Sequence, residues 1–253
     1  MRSGALAMPL VRSVFVLAAM LATPAAAAGA GANAGPADAD AVTAQPESAG
    51  AAPADSGTGA AAGPTGPVRK LADTLIATMK DAETLGFDGR RERLEPVLRA
   101  TFDFGFMARL ALGGQWTELD AAERTRFAKL FGDMSVATFA ARFDGYGGQH
   151  FEVQAPRDGP RGTKLVPTKL IHPDPEKAPV TISYLMRETD AGWQAVDVYL
   201  KGTYSELATK RSEYTSIVRR KGYDALVRRI REKIAELRET GDPDTSAEGG
   251  DGA

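Results

Sequence analysis

The chain has no cysteine, only two histidines, His150 and His172, and only two tryptophans among 253 residues. Without thiols it is neither a disulfide scaffold nor a Cys-anchored lipoprotein, so if it is exported it must hold together by core packing alone. Neither histidine belongs to a spaced ligand set such as H-E-x-x-H, and His172 stands in the turn His172-Pro173-Asp174-Pro175. No metal site is expected on that basis. The sequence also lacks G-x-S-x-G, a phosphate loop and a dinucleotide glycine pattern. The glycine cluster Gly145, Gly147 and Gly148 lies after a helical pattern and before a strand, the reverse of the order that phosphate binding needs. An ordinary active site requires a nucleophile with a base, paired acids or a metal cluster. The sequence offers none of these clearly, and no residue is expected to be catalytic.

Long apolar runs are scarce as well. The longest near the start, Val14 to Ala22, falls short of the ~20 residues a membrane span needs unless the flanking alanines are counted. Arg2 and Arg12 precede it, and Pro24 leads into Ala25-Ala26-Ala27-Ala28 behind it, small residues of the kind signal peptidase cleaves after. Residues 1–28 therefore read as a secretory signal peptide rather than as a retained anchor. From there to Gly66 the chain is mostly Ala, Gly, Pro, Ser, Thr and Asp, with too little apolar surface to offset the entropy of ordering. Residues 29–66 are expected to be a disordered linker and residues 240–253, rich in Gly, Asp, Ser and Glu, a disordered acidic tail. One domain, 67–239, remains.

Charge of one sign is in modest excess there. Residues 67–238 carry 29 Lys and Arg against 24 Asp and Glu, whereas the tail from Glu239 adds five acids and no base. This suits an anionic head group, a membrane surface or an acidic partner, and falls short of a nucleic-acid footprint.

What the domain does contain is periodic. Val68, Leu71, Leu75, Ile76 and Met79 recur at helical spacing behind Pro67, a residue suited to a first turn. A second helical stretch, Gly89 to Ala100, is interrupted by Pro96, which is expected to divide it. Phe102 to Gly113 is dense in aromatic and aliphatic side chains and reads as buried. Asp120 and Glu123 have the spacing of a capping box, opening the longest helix, with Phe127, Leu130, Phe131, Met134 and Thr138 as its inner stripe and Phe139 and Phe143 at that edge. The period then changes to two in His150 to Gln154, Thr163 to His172, Val180 to Met186 and Trp193 to Leu200. In the last strand Val196, Val198 and Leu200 are expected on one face and Trp193, Ala195, Asp197 and Tyr199 on the other, so both faces are covered. Two helices, Tyr204 to Lys221 and Tyr223 to Arg238, close the chain on either side of Gly222. Helices, a meander and helices again make an α+β domain.

Two polar features carry alternatives. Asp197 is an acid in a strand built for burial, better explained by hydrogen bonding to nearby backbone or Arg than by proton transfer. The runs Arg219-Arg220-Lys221 and Arg228-Arg229 suit a membrane or partner, or simply the negative end of a helix dipole.

The ordered set Phe102-Asp103-Phe104, Met107-Ala108-Arg109-Leu110-Ala111-Leu112-Gly113, Trp116, Phe127 and Phe131, followed by Trp193-Gln194-Ala195-Val196-Asp197-Val198-Tyr199-Leu200-Lys201-Gly202, Arg211-Ser212-Glu213-Tyr214 and Gly222-Tyr223-Asp224-Ala225-Leu226, resembles the MlaC family of periplasmic phospholipid-binding proteins, also called toluene-tolerance auxiliary proteins. Phe143-Asp144-Gly145-Tyr146 and Gly202 to Thr209 are more similar to its hopanoid-biosynthesis-associated branch, HpnM. The resemblance implies a curved antiparallel sheet of about four strands, related to the NTF2-like type, packed by N- and C-terminal helices around an apolar cavity. It implies a monomeric periplasmic carrier of a phospholipid or hopanoid-type lipid, working between inner- and outer-membrane transport complexes, with bound lipid in place of a cofactor. Met107, Leu110, Leu130, Met134, Phe139, Val180, Ile182, Tyr184, Val196, Val198 and Tyr214 are then the expected lining. A close-packed core would give the same apolar stripes. An enzyme on an apolar substrate, with Asp197 aimed into the cavity, and a non-carrying adaptor that presents its basic helices are the other readings.

Overall fold

The computed structural model describes residues 63–241 other than Thr203. The segment read as signal peptide, the linker up to residue 62 and the acidic tail from residue 242 lie outside the described residues; of the described ends, Thr65, Gly66 and Thr240 are helical. Among the described residues, seven α-helices and one antiparallel sheet make up the fold. Helices α1 (Thr65–Lys80), α2 (Ala82–Thr101), α3 (Phe104–Leu112), the single turn α4 (Gln115–Glu118) and α5 (Ala121–Arg142) precede the strands, and α6 (Glu206–Lys221) and α7 (Tyr223–Thr240) follow them. The strands are β1 (His150–Val153), β2 (Arg157–Asp158), β3 (Lys164–Ile171), β4 (Val180–Thr189), β5 (Gly192–Leu200) and β6 (Tyr204–Ser205). Four of them carry the sheet in the order β1-β3-β4-β5, and the two-residue strands β2 and β6 attach to β3 and β5.

Local chemistry explains most boundaries. Asp120 Oδ1 accepts from the Glu123 amide at 2.7 Å while Glu123 Oε2 accepts from the Asp120 amide at 2.9 Å, the reciprocal box that satisfies two free donors at the start of α5. Pro96 does not divide α2. The break lies ten residues earlier at Gly86, whose φ of 59° and ψ of −173° belong to a region essentially restricted to glycine. Arg90 then fastens the kinked piece, donating from Nε to Ala140 O at 2.7 Å and from Nη1 to Ala82 O at 3.1 Å. Gly222, at φ 85°, lets the chain turn between α6 and α7 in an exposed stretch that begins at Arg219.

Helix α5 is the hub. It packs against α2, α3 and α7 at once, so it buries Phe127 and Phe131 as well as Val136, Ala137, Ala140 and Ala141 on other sides. A single inner stripe was too simple a description, and Leu130 is only half buried. On the sheet, Val166, Tyr184, Met186, Ala195 and Val198 face this helical layer. The expected alternation in β5 fails at one point. Leu185 pairs with Asp197 and Met186 with Ala195, which leaves Val196 as the extra residue of a β-bulge. Val196 and Val198 therefore do not share the core face as strict period-two reading would have it. Past the bulge, the free edge of β5 is capped by the α2–α3 junction, where Phe102 bridges Ala195 and the Asp103 amide donates to Ala195 O at 3.0 Å.

Candidate functional site

Two carboxylates and one glycine fix the walls of a cavity between α3, α5 and α6. Asp103 holds α3: its Oδ1 accepts from the Phe106 amide at 2.9 Å and its Oδ2 from Arg187 on β4 at 2.7 Å. Asp197 holds α6 against β5. Its Oδ1 accepts from the Val198 and Leu207 amides at 2.7 and 3.1 Å, and its Oδ2 from Ser205 Oγ at 2.6 Å, while Ser205 Oγ in turn caps α6 by accepting from the Ala208 amide at 2.9 Å. Burial raises the Asp197 pKa from its ordinary value, and these three hydrogen bonds oppose the rise. The carboxylate is thus occupied with backbone and cap, and it does not line the cavity. On α5, Gly132 has no side chain to strike Phe104, whose ring lies 3.2 Å from where a Cβ would stand, so Phe131 and Phe104 meet edge to face at 6.3 Å.

The cavity measures about 110 Å³. Phe102, Phe104, Met107, Phe131, Met134, Phe139, Val198, Leu207 and Tyr214 form its apolar part. All of these except half-buried Phe139 are buried. The polar part consists of Ser135, Thr138 and Arg142 from α5 and Glu206, Thr209 and Lys210 from α6, every one at least partly exposed. The gradient from buried apolar floor to solvent-reaching polar rim gives the cavity a direction. Its aromatic floor is continuous: Phe102 stacks on Phe104 at 5.5 Å, and Tyr214 meets Phe131 and Phe127 edge-on at 6.3 and 6.2 Å. Burial drives the Tyr214 hydroxyl well above its usual range.

Five of the eleven expected lining residues, Met107, Met134, Phe139, Val198 and Tyr214, come together here. Six do not. Tyr184 packs against Phe102, ring centroids 6.1 Å apart, and lies outside the lining. Ile182 is buried beside its sheet partner Leu200, Val180 is half buried at the start of β4, and Val196 is displaced by the bulge. Leu130 points roughly 100° round α5 from the Phe131–Thr138–Arg142 stripe, and Leu110 packs against the core from outside the lining. The sheet thus contributes one residue, Val198, the α2–α3 junction contributes Phe102, and helices supply the rest. The residues missed from sequence include the whole rim. Their signal was present: Ser135, Thr138, Phe139 and Arg142 follow the i, i+3, i+4, i+7 spacing of one helix face, and Glu206 and Lys210 are one turn apart.

Glu206 is the electrostatic centre of that rim. Desolvation raises its pKa to about 7, opposed by the positive charges of Lys210 and Arg142 and reinforced slightly by Asp197. Lys210 also donates to Glu213 at 3.1 Å and lies 5.7 Å over the Tyr214 ring. Among the described residues no group of three His, Cys, Asp or Glu could hold a metal ion, and no helix is long and apolar enough to cross a membrane.

The same fold is found in a solved structure from Ralstonia solanacearum, a phospholipid-binding protein in complex with a phospholipid. It matches with a TM-score of 0.60 at 18% identity and covers 70% of this chain and 99% of that one. The sequence pattern of the family described as MlaC protein matches residues 69–232, nearly the whole of the described domain, and the chain belongs to the MlaC family.

Proposed function

We propose that this protein is a periplasmic lipid carrier. In this reading it holds the acyl chains of a phospholipid or hopanoid-type lipid in the cavity between α3, α5 and α6 and passes them between inner- and outer-membrane transport complexes. Residues 1–28 direct export and are removed, residues 29–66 serve as a linker ahead of the domain, and residues 240–253 form an acidic tail. The observation that carries the reading is the direction of the cavity: an aromatic and aliphatic floor closed from water, ending in a rim that carries Arg142, Glu206 and Lys210. A lipid has the same two-part chemistry.

Physical chemistry explains why a carrier is needed. At about 0.8 kcal/mol per buried CH₂, exposing two long acyl chains to water costs on the order of 20 kcal/mol, too much for unaided desorption to be useful. A dry cavity that holds the chains about as well as a bilayer turns transfer into a nearly balanced exchange, which a docked partner can drive either way. The protein binds its ligand and does not convert it. Asp197, the buried acid that a catalytic reading would use, is committed to the α6 cap and lies outside the lining.

The direct test is a transfer assay. Delipidated protein is incubated with vesicles carrying radiolabelled phospholipid and then separated from them by sedimentation. Label that appears with the soluble protein in roughly equimolar amount supports the carrier; label that stays with the vesicles contradicts it.

A further inference from the structure

Four hydroxyls line the cavity, and three of them have their protons committed. Ser135 Oγ donates to Phe131 O at 2.9 Å, Thr138 Oγ1 to Met134 O at 2.9 Å and Thr209 Oγ1 to Ser205 O at 3.1 Å. The fourth belongs to Tyr214, which is only 2% exposed and donates to no described residue. Its edge-on contacts with Phe127 and Phe131 hold the ring and leave the hydroxyl unpaired. Side chains on a helix lean toward its N-terminus. Tyr214 therefore reaches back over the turn of Lys210, whose Nζ lies 5.7 Å from the ring centroid, toward Leu207 and Glu206 of the lining. Among the described residues, the unpartnered side-chain atoms sealed from any accessible surface include Thr168 Oγ1 and His172 Nε2 but not the Tyr214 oxygen. The space left to that oxygen is the cavity its side chain lines. A hydroxyl held in apolar surroundings without an acceptor is destabilising, and a ligand that brings one recovers the loss.

We propose that Tyr214 is the cavity's hydrogen-bond donor to its ligand and that the acceptor is the ester carbonyl of a bound acyl chain, so that the protein selects ester-linked over ether-linked lipid. This rests on the carrier reading and names the linkage the carrier recognises. In an ester lipid the carbonyl is the first polar group above the chain, so it enters the apolar floor further than any other polar part of the molecule. A carbonyl only accepts, and an acceptor is all that the Tyr214 hydroxyl lacks. A free carboxylate would accept as well, but it would carry its charge in among Phe102, Phe104, Phe131 and Met134, where burial is costly. An ether link brings no carbonyl and leaves the hydroxyl without that partner. Burial, which drives the Tyr214 pKa upward, keeps the proton on the oxygen and so available to donate.

The proposal is tested by competition. Delipidated protein is incubated with vesicles made of equal parts of two choline phospholipids with chains of the same length, one ester-linked and the other ether-linked. The bound fraction is extracted and analysed by mass spectrometry. The expected result is enrichment of the ester lipid by about fivefold, the size of one net hydrogen bond. Tyr214→Phe keeps the ring and removes the hydroxyl, so it should still take up lipid while the ratio falls toward one. Because the hydroxyl is unpaired in the empty protein, delipidated Tyr214→Phe should melt no lower than the parent. Uptake of both lipids in their vesicle proportions by the wild-type protein overturns the proposal and leaves the carrier reading standing. Retention of the enrichment in Tyr214→Phe overturns it as well, as does a clear fall in the melting temperature of that variant, which would show that the hydroxyl already has a partner in the fold. Failure of the wild-type protein to take up either lipid contradicts the carrier reading and the proposal with it.

Discussion

Asp197 and Ser205 are joined by a 2.6 Å hydrogen bond in which the serine hydroxyl donates to a carboxylate while its oxygen caps α6. One residue of β5 thereby sets where an entire wall of the cavity begins. Asp197→Asn replaces one oxygen with an NH₂ group that cannot accept, so at least one of the three donors facing it loses its partner. A destabilisation of about 1–3 kcal/mol is expected, read as a lower urea midpoint. Lipid should still copurify with the folded variant. A lipid-modifying activity found in the parent and lost in this variant would show that the acid is catalytic after all.

The separation of cavity from core makes two substitutions on neighbouring strands behave differently. Val198 and Ile182 both belong to the buried core, but Val198 also lines the cavity and Ile182 does not. Ile182→Glu places an unpaired carboxylate in the core beside Leu200 and outside the cavity, at a cost of several kcal/mol against a typical total stability of ~5–15 kcal/mol. Val198→Glu has room for water beside the charge. Circular dichroism should show the first variant largely unfolded and the second folded, and the second should carry little or no lipid. Equal unfolding of both would mean that Val198 is core.

Glu206 gives the empty protein a pH dependence with a definite sign. Its folded pKa of about 7 lies above the ordinary 4.5, so between those values the folded state binds more protons than the unfolded one. Stability therefore falls as pH rises through this window. Asp197, also raised by burial, acts in the same direction. Thermal melts of delipidated protein from pH 4.5 to 8 should show the decline, and Glu206→Gln should flatten it. A wild-type curve that rises over that range would contradict the assignment.

Much of this fold is legible in the sequence because its signals are local. The capping box at Asp120 and Glu123, the change from helical to alternating period after Gly148, and the glycine between α6 and α7 are each set by neighbours within a few residues. The site is harder to read because it depends on which apolar residues end up behind others. Tyr184 and Met134 look alike as apolar positions, yet Met134 lines the cavity and Tyr184, packed against Phe102, does not. The bulge at Val196 is likewise invisible to an alternation count, because a strand with an extra residue still alternates on either side of it. Helix α5 misled for a third reason: buried on several sides, it has no single apolar stripe for periodicity to find. The rim was missed because its residues are ordinary surface types, and only their meeting across α5 and α6 makes them a site.

Export is tested separately from binding. The mature protein is expected to begin between Ala27 and Gly31 and to appear in the soluble periplasmic fraction. N-terminal sequencing that returned Met1 on membrane-bound material would contradict this.

Carriage of lipid is the central claim, and the measurement closest to it is native mass spectrometry of the protein purified from its own cells without detergent, followed by extraction of whatever is bound. The account predicts a folded species heavier than the polypeptide by the mass of one lipid, and release of that lipid on denaturation. A folded protein of polypeptide mass alone, from cells in which its proposed partners are present, would contradict it and leave the aromatic floor as nothing more than core.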